Sequence, residues 1–113
     1  MVSQIVTCKG FSGKSYSFDV DPIGLAYEAK PGVYIFSKLG DNGKWMAVFV
    51  GSTLDLNATL KTYLKIHPKL ECLQSEGSTH IGTMLILGGD IERDRVVDDL
   101  KKSLSPSCNI RSG

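Results

Sequence analysis

Strict alternation of apolar and polar side chains runs through Ser15–Val20, where Tyr16, Phe18 and Val20 interleave with Ser15, Ser17 and Asp19. A period of two puts one set on a buried face, which predicts a strand. Gln4–Cys8 predicts another strand before it, and the glycines of Lys9-Gly10-Phe11-Ser12-Gly13-Lys14 suit the turn between them. Asp21-Pro22 ends the second strand, because proline cannot donate to a ladder. Two denser apolar runs follow, Gly32–Phe36 and Trp45–Gly51, separated by Gly40-Asp41-Asn42-Gly43. Their β-branched and aromatic content with turn residues between predicts an antiparallel hairpin.

The period then changes. Leu56, Leu60, Tyr63 and Leu64 recur at three- and four-residue spacing, predicting a helix over 54–66 with Asp55 as its N-cap or a first-turn acid and His67-Pro68 as its stop. Lys69–Ser75 predicts a short second helix and His80–Leu87 a compact apolar strand. Gly88-Gly89 turns the chain into a helix from Ile91 to Leu104, N-capped by Asp90, with Val96, Val97, Leu100 and Leu104 on its core face. Pro106 ends it, and Ser107–Gly113 reads as a tail. The order is α+β: a small antiparallel sheet with helices packed on it and an N-terminal β-hairpin extension.

A length of 113 residues fits a single domain, with an N-terminal extension over 1–30 and a core over 31–109. The formal net charge of +1 supplies no global field for nucleic acid. Cys8, Cys72 and Cys108 are odd in number and widely spaced, which reads as free thiols in a reducing cytoplasm. Met1-Val2-Ser3-Gln4 lacks the basic start and apolar run of a leader, and no apolar run is long enough to span a bilayer, so a cytoplasmic protein without membrane contact is expected.

Gly32-Val33-Tyr34 and Phe49-Val50-Gly51, in this order and spacing, resemble the two signature triplets of the GIY-YIG nuclease superfamily. Ser52-Thr53-Leu54-Asp55-Leu56 resembles the segment after the second triplet, and the run from Leu100 into Pro106-Ser107-Cys108-Asn109 resembles the closing helix with its Pro-x-x-Asn end. The N-terminal strands from Cys8 to Val20 and Thr79-His80-Ile81 resemble a small stand-alone branch. The resemblance implies a site in which two tyrosines handle the attacking water, a helical arginine holds phosphate, and a glutamate on the last helix holds a divalent cation, usually Mg²⁺; some branches add a helical histidine. On that register only Tyr34 is kept. Phe49 replaces the second tyrosine, Thr59 the arginine and Val97 the glutamate, and the histidine position falls near Tyr63 or Leu64. Phosphodiester hydrolysis needs a base, an electrophile and positive charge on the developing oxyanion, so these replacements imply a degenerate site without a metal ligand.

Asp94, three residues before Val97, is the rescue candidate for a metal, against its reading as a solvated first-turn acid. Lys61 and Lys65 at helical spacing, with Lys69 beyond, form a candidate phosphate-facing ridge against a solvated-face reading. His67, four residues after Tyr63, could reach the same face but reads as an exposed helix-end cap before Pro68; His80 reads as a strand-edge residue, and Arg93 and Arg95 as surface partners of Asp98 and Asp99. Trp45 either caps the core or anchors a protein contact. The expectation is a catalytically inactive binding or regulatory module that uses no cofactor and meets a protein partner or itself. The alternatives are a divergent endonuclease using Mg²⁺ with Tyr34 and Asp94, and a nucleic-acid binder that does not cut.

Overall fold

The computed structural model describes residues 4–110. Residues 1–3 and 111–113, on which the leader reading and the end of the tail reading fall, lie outside that range. Five strands form one antiparallel sheet: β1 (Gln4–Lys9), β2 (Ser15–Pro22), β3 (Gly32–Leu39), β4 (Trp45–Thr53) and β5 (His80–Leu85), in the spatial order β1-β2-β5-β3-β4. Two hairpins, β1-β2 and β3-β4, thus lie on either side of β5, which pairs antiparallel with both β2 and β3. The α+β order and the N-terminal hairpin are as the patterning predicts. The central position of β5 is a tertiary choice, since no local signal ties His80–Leu85 to β2 and β3.

Successive side chains of β3 point to opposite faces, and the core divides accordingly. Tyr34 and Phe36 join Leu56, Leu60, Cys72, Leu73, Ile81 and Cys108 in one buried cluster. Val33 and Ile35 join Phe18, Val20, Val50, Val96 and Leu100 in the other. The register between β3 and β4 shifts after Phe36, where Phe36 opposes Phe49 but Ser37 opposes Ala47. The extra residue is Val48, and this bulge lets the consecutive Val48 and Phe49 both pack in the first cluster.

α2 (Asp90–Leu104) covers the second face through Val96 and Leu100. Its N-cap is Gly89, with extended backbone and no side-chain cap, so Asp90 is the first helical residue and not the cap the sequence suggests. The Asp90 carboxylate instead pairs with Arg93, which is buried and donates Nη1 to Ile86 O at 2.9 Å. Arg93 is therefore not a surface residue: it holds the β5–α2 connection to the first turn of the helix. Asp99 is not committed to Arg95 either. It accepts from Ser12 N at 2.8 Å, Ser12 Oγ at 2.6 Å and Tyr16 Oη at 2.8 Å, pinning the β1-β2 turn to α2. These hydrogen bonds, from Ser12 first and then Tyr16, hold the Asp99 carboxyl below its ordinary range.

The first face is covered by residues 54–75 and by α3 (Ser107–Ile110), a helical turn within what reads as a tail. The long helix expected over 54–66 does not form. Asp55 Oδ1 accepts the Ala58 N–H at 2.9 Å and closes a first turn, as an N-cap should. The chain then widens into a π turn over Ala58–Thr62, with Tyr63 N bonded to Ala58 O, and tightens into a 3₁₀ turn over Leu64–Ile66. Thr59, Thr62 and Tyr63 are weak helix formers, which lets tertiary packing reset the turn. α1 (Leu70–Ser75) follows as the sequence suggests.

Cys72 of α1 and Cys108 of α3 are joined in a disulfide, contrary to the free-thiol expectation; Cys8 alone is free. Sequence spacing could not reveal the pair, because their approach depends on α1 and α3 meeting on one sheet face. Asn109 completes the closure: its Oδ1 accepts from Val50 N at 2.7 Å and its Nδ2 donates to Val50 O at 2.9 Å. β4 is an edge strand, so one side chain makes the two bonds a neighbouring strand would have made. The disulfide spans a sequence separation of 36 residues; a loop of that size corresponds to about 4 kcal/mol of lost unfolded-state entropy in the chain model. The double variant Cys72→Ser, Cys108→Ser is expected to lose about 2–4 kcal/mol of unfolding free energy in denaturant titration. Reduction of the unsubstituted chain should reproduce most of that loss.

Candidate functional site

Gly32 and Gly51 shape the site before any polar group enters it. A Cβ on Gly32 would lie 2.5 Å from Met84 O, so the start of β3 approaches β5 more closely than a side chain allows. Gly51 lies opposite Tyr34 across the β3-β4 ladder. A Cβ there would meet Tyr34 Cζ and Oη at 2.7 Å and Phe49 Cε2 at 2.8 Å, so the tyrosine ring rests on the bare backbone of the glycine.

The hydroxyl of Tyr34 is 2.8 Å from Nε2 of His67, and both residues are buried, with 4% and 8% of their surfaces exposed. This overturns the reading of His67 as an exposed helix-end residue. The π turn inserts a residue, and a helix rotates side chains by about 100° per residue. Tyr63, expected on the core stripe, consequently faces solvent. His67, held extended (φ −59°, ψ 133°) ahead of Pro68, swings its ring inward. Edge-to-face contacts surround the ring, with centroids 5.9 Å from Tyr34, 5.7 Å from Phe36 and 5.5 Å from Phe49.

Hydrogen-bond logic fixes the protons. Lys69 N donates to His67 Nδ1 at 3.0 Å, so Nδ1 is the acceptor of a neutral ring. Nε2 then carries the hydrogen and donates it to Tyr34 Oη, leaving the phenolic hydrogen free to be donated elsewhere. Burial lowers the His67 pKa below its ordinary 6.5 and raises that of Tyr34 above its ordinary 10.0. Tyr34 is thereby kept as a neutral phenol that can donate a hydrogen bond but is poorly suited to accept a proton.

The remaining candidates do not gather around this pair. Phe49 does, tilted against Tyr34 at 6.0 Å, and contributes a ring without a hydroxyl. Thr59 Oγ1 is bonded to Thr53 Oγ1 at 2.7 Å, fastening the π turn to the end of β4. Val97 packs half-buried with the second cluster, on the face of the sheet that Tyr34 does not share. Asp94 is exposed and lines a hollow with Ser12, Lys14, Tyr16, Arg95 and Asp98 between α2 and the first hairpin, apart from Tyr34. Lys61 and Lys65 no longer hold helical spacing, and the Lys61 ammonium donates to Gly24 O at 2.6 Å. Lys65 is exposed and Lys69 half-buried, its amide bound to His67. His80 and Trp45 meet at 4.8 Å, and Trp45 packs against the second cluster. Sequence reasoning missed His67 as a site residue. Its position before a proline at the end of the apolar stripe signals a helix end but not which way the ring turns.

No protein-family model and no curated protein matches the chain. Among solved structures, the GIY-YIG N-terminal endonuclease domain of UvrC from Thermotoga maritima, as a Tyr-to-Phe variant bound to its catalytic divalent cation, matches with a TM-score of 0.60 and 26% identity over 79% of this chain and 91% of that one. A second Tyr-to-Phe variant of that domain, likewise cation-bound, matches with a TM-score of 0.58 and 28% identity over 78% and 91%.

The fold of this chain is that of the GIY-YIG superfamily.

The cation of that GIY-YIG relative does not fit the residues present here. Among the described residues no group of three or more His, Cys, Asp or Glu side chains gathers as a ligand set. Val97, at the register of the expected ligand, has no donor atom, and Asp94 lies beside the first hairpin. No chemical step through a cation is therefore derived for this GIY-YIG domain.

Two tests address the ring cluster. Gly51→Ala would place a methyl group against Tyr34 and Phe49, and is expected to lower unfolding free energy by about 1–3 kcal/mol in chemical denaturation. For His67, the unfolded chain takes up the proton first as pH falls through 6.5, since the folded value is lowered. Stability is thus complete above that pH and is lost below it, down to the folded-state pKa. Thermal midpoints should fall between pH 7.5 and 5.5, and His67→Gln, which can still donate to Tyr34 and accept from Lys69, should flatten that dependence.

Proposed function

We propose that this GIY-YIG domain is a non-cleaving binding or regulatory module in which the nuclease site has been converted into a packed aromatic cluster. The observation that carries this reading is the Tyr34–His67 contact inside a wall of Phe36 and Phe49 rings. A base that activates water should be near its working pKa and open to solvent. Tyr34 is 4% exposed, and its phenol is pushed in the opposite direction by burial.

The neighbouring replacements support the same conclusion. Phe49 brings no hydroxyl, Thr59 uses its hydroxyl on Thr53, and Val97 contributes to the core. Burying an unpaired charge is costly, so a cleft that no longer meets phosphate is stabilised by neutral side chains. What remains is a scaffold whose outer surfaces meet a protein partner or a second copy.

The test is a supercoiled-plasmid nicking assay with Mg²⁺ or Mn²⁺ supplied. The expected outcome is no relaxation beyond the protein-free control. Strand scission that vanishes in Tyr34→Phe and in Asp94→Asn would instead establish a divergent endonuclease.

A further inference from the structure

The two edges of the sheet are finished differently. β4 is closed by Asn109, whose amide takes both outward backbone groups of Val50. At β1 the outward groups follow from register. Gly10 N donates to Lys14 O at 2.8 Å, and the β1-β2 pairs continue that register, through Cys8 opposite Tyr16 and Val6 opposite Phe18. Bonded pairs alternate in an antiparallel ladder, so Gln4, Val6 and Cys8 bond to β2, while Ile5, Thr7 and Lys9 point their N–H and C=O outward. α2 occupies the far end of this row: Ser103 Oγ donates to Lys9 O at 2.6 Å, and Phe11 N donates to Asp99 O at 3.1 Å. No group among the described residues takes up the outward N–H and C=O of Ile5 and Thr7.

We propose that β1 is a homodimer edge, pairing antiparallel with β1 of a second copy about a two-fold axis at Val6. Symmetry and parity select this register. Directly opposed residues must share a face, so the axis passes through a residue. Centred on Val6, Ile5 opposes Thr7 of the second copy and Thr7 opposes its Ile5, and all four outward pairs of N–H and C=O groups meet. Centring on Thr7 would set Ile5 against Lys9, whose carbonyl Ser103 already holds. Centring on Ile5 would carry Thr7 past the end of the strand.

Charge fits the same partner. Gln4–Cys8 is neutral, and the two Lys9 residues would lie about 20 Å apart at ~3.4 Å per residue, beyond the screening length at physiological salt. Ile5, 68% exposed in the single chain, would gain an apolar and β-branched cross-strand neighbour. An edge contact buries less than a standard interface of about 1,600 Å², which points to a micromolar dimer.

Thr7→Pro separates this edge from the fold. The proline removes an outward donor that β2 does not use, and proline is tolerated on edge strands. Ile5→Lys is the companion variant, placing like charges beside the axis without touching the backbone. The full chain should show concentration-dependent dimerisation by sedimentation. Each variant should keep the native far-UV spectrum and raise the dissociation constant about tenfold or more, the scale of one or two lost hydrogen bonds. Should Thr7→Pro fail to fold, Ile5→Lys decides. Amide exchange gives a separate reading: Val6 and Cys8 should be protected at every concentration, and Ile5 and Thr7 only when dimer is populated. A chain that stays monomeric up to near-millimolar concentration, leaving the edge to another protein's strand, overturns the proposal. So does a dimer indifferent to both substitutions with Ile5 and Thr7 amides unprotected.

Discussion

A tyrosine ring lying on a glycine backbone sets the geometry of this molecule. Tyr34 can sit over Gly51 only because no Cβ intervenes, and the contact fixes how β3 and β4 face one another at the centre of the first cluster. Burying the phenol creates a demand for a hydrogen-bond partner in an apolar surrounding, since an unmet hydroxyl there is costly. His67 meets it. To do so, the segment after β4 abandons α-helical spacing, passes through a π turn and a 3₁₀ turn, and ends extended before Pro68. The irregular stretch thus delivers His67 to that buried oxygen.

The C-terminal segment depends on the same cluster. Cys108 enters it beside Cys72 and Leu73, and the disulfide ties the last turn to α1. One residue on, Asn109 holds Val50, which lies between Phe49 and Gly51 in the second triplet. α3 therefore closes the β4 edge, packs the first face and supports the strand on which Tyr34 rests. Among the described residues the opposite edge has α2 alone at its far end, and this asymmetry between edges gives the sheet a direction in which it can grow.

The chemistry follows from where charge is absent. The ring cluster holds a neutral imidazole and a neutral phenol, each kept so by burial; Lys61 is bonded to Gly24 O and Asp94 lies beside the first hairpin, away from the cluster. Arg93 secures the start of α2, and Asp99 secures the first hairpin. Both are charged groups on α2, and both are used to hold elements together. The fold is that of an endonuclease domain, and Arg93 and Asp99 serve it as scaffolding.

Much of the architecture was legible in the chain because the relevant signals are local. Period-two alternation marked β2, turn glycines marked both hairpins, and Pro106 marked where α2 stops. The triplets at Gly32–Tyr34 and Phe49–Gly51 pointed to the family by resemblance, and in the structure each glycine answers a close approach that only a glycine permits. The sequence alone could not show that β5 enters between the hairpins, that Cys72 meets Cys108, that Arg93 is buried, or that His67 turns inward. Each of these depends on residues distant in the chain competing for one volume, and side-chain spacing carries no information about which competitor wins. For His67 the outcome turned on one inserted residue in a helical turn, a shift small in local energy and decisive once Tyr34 required a partner.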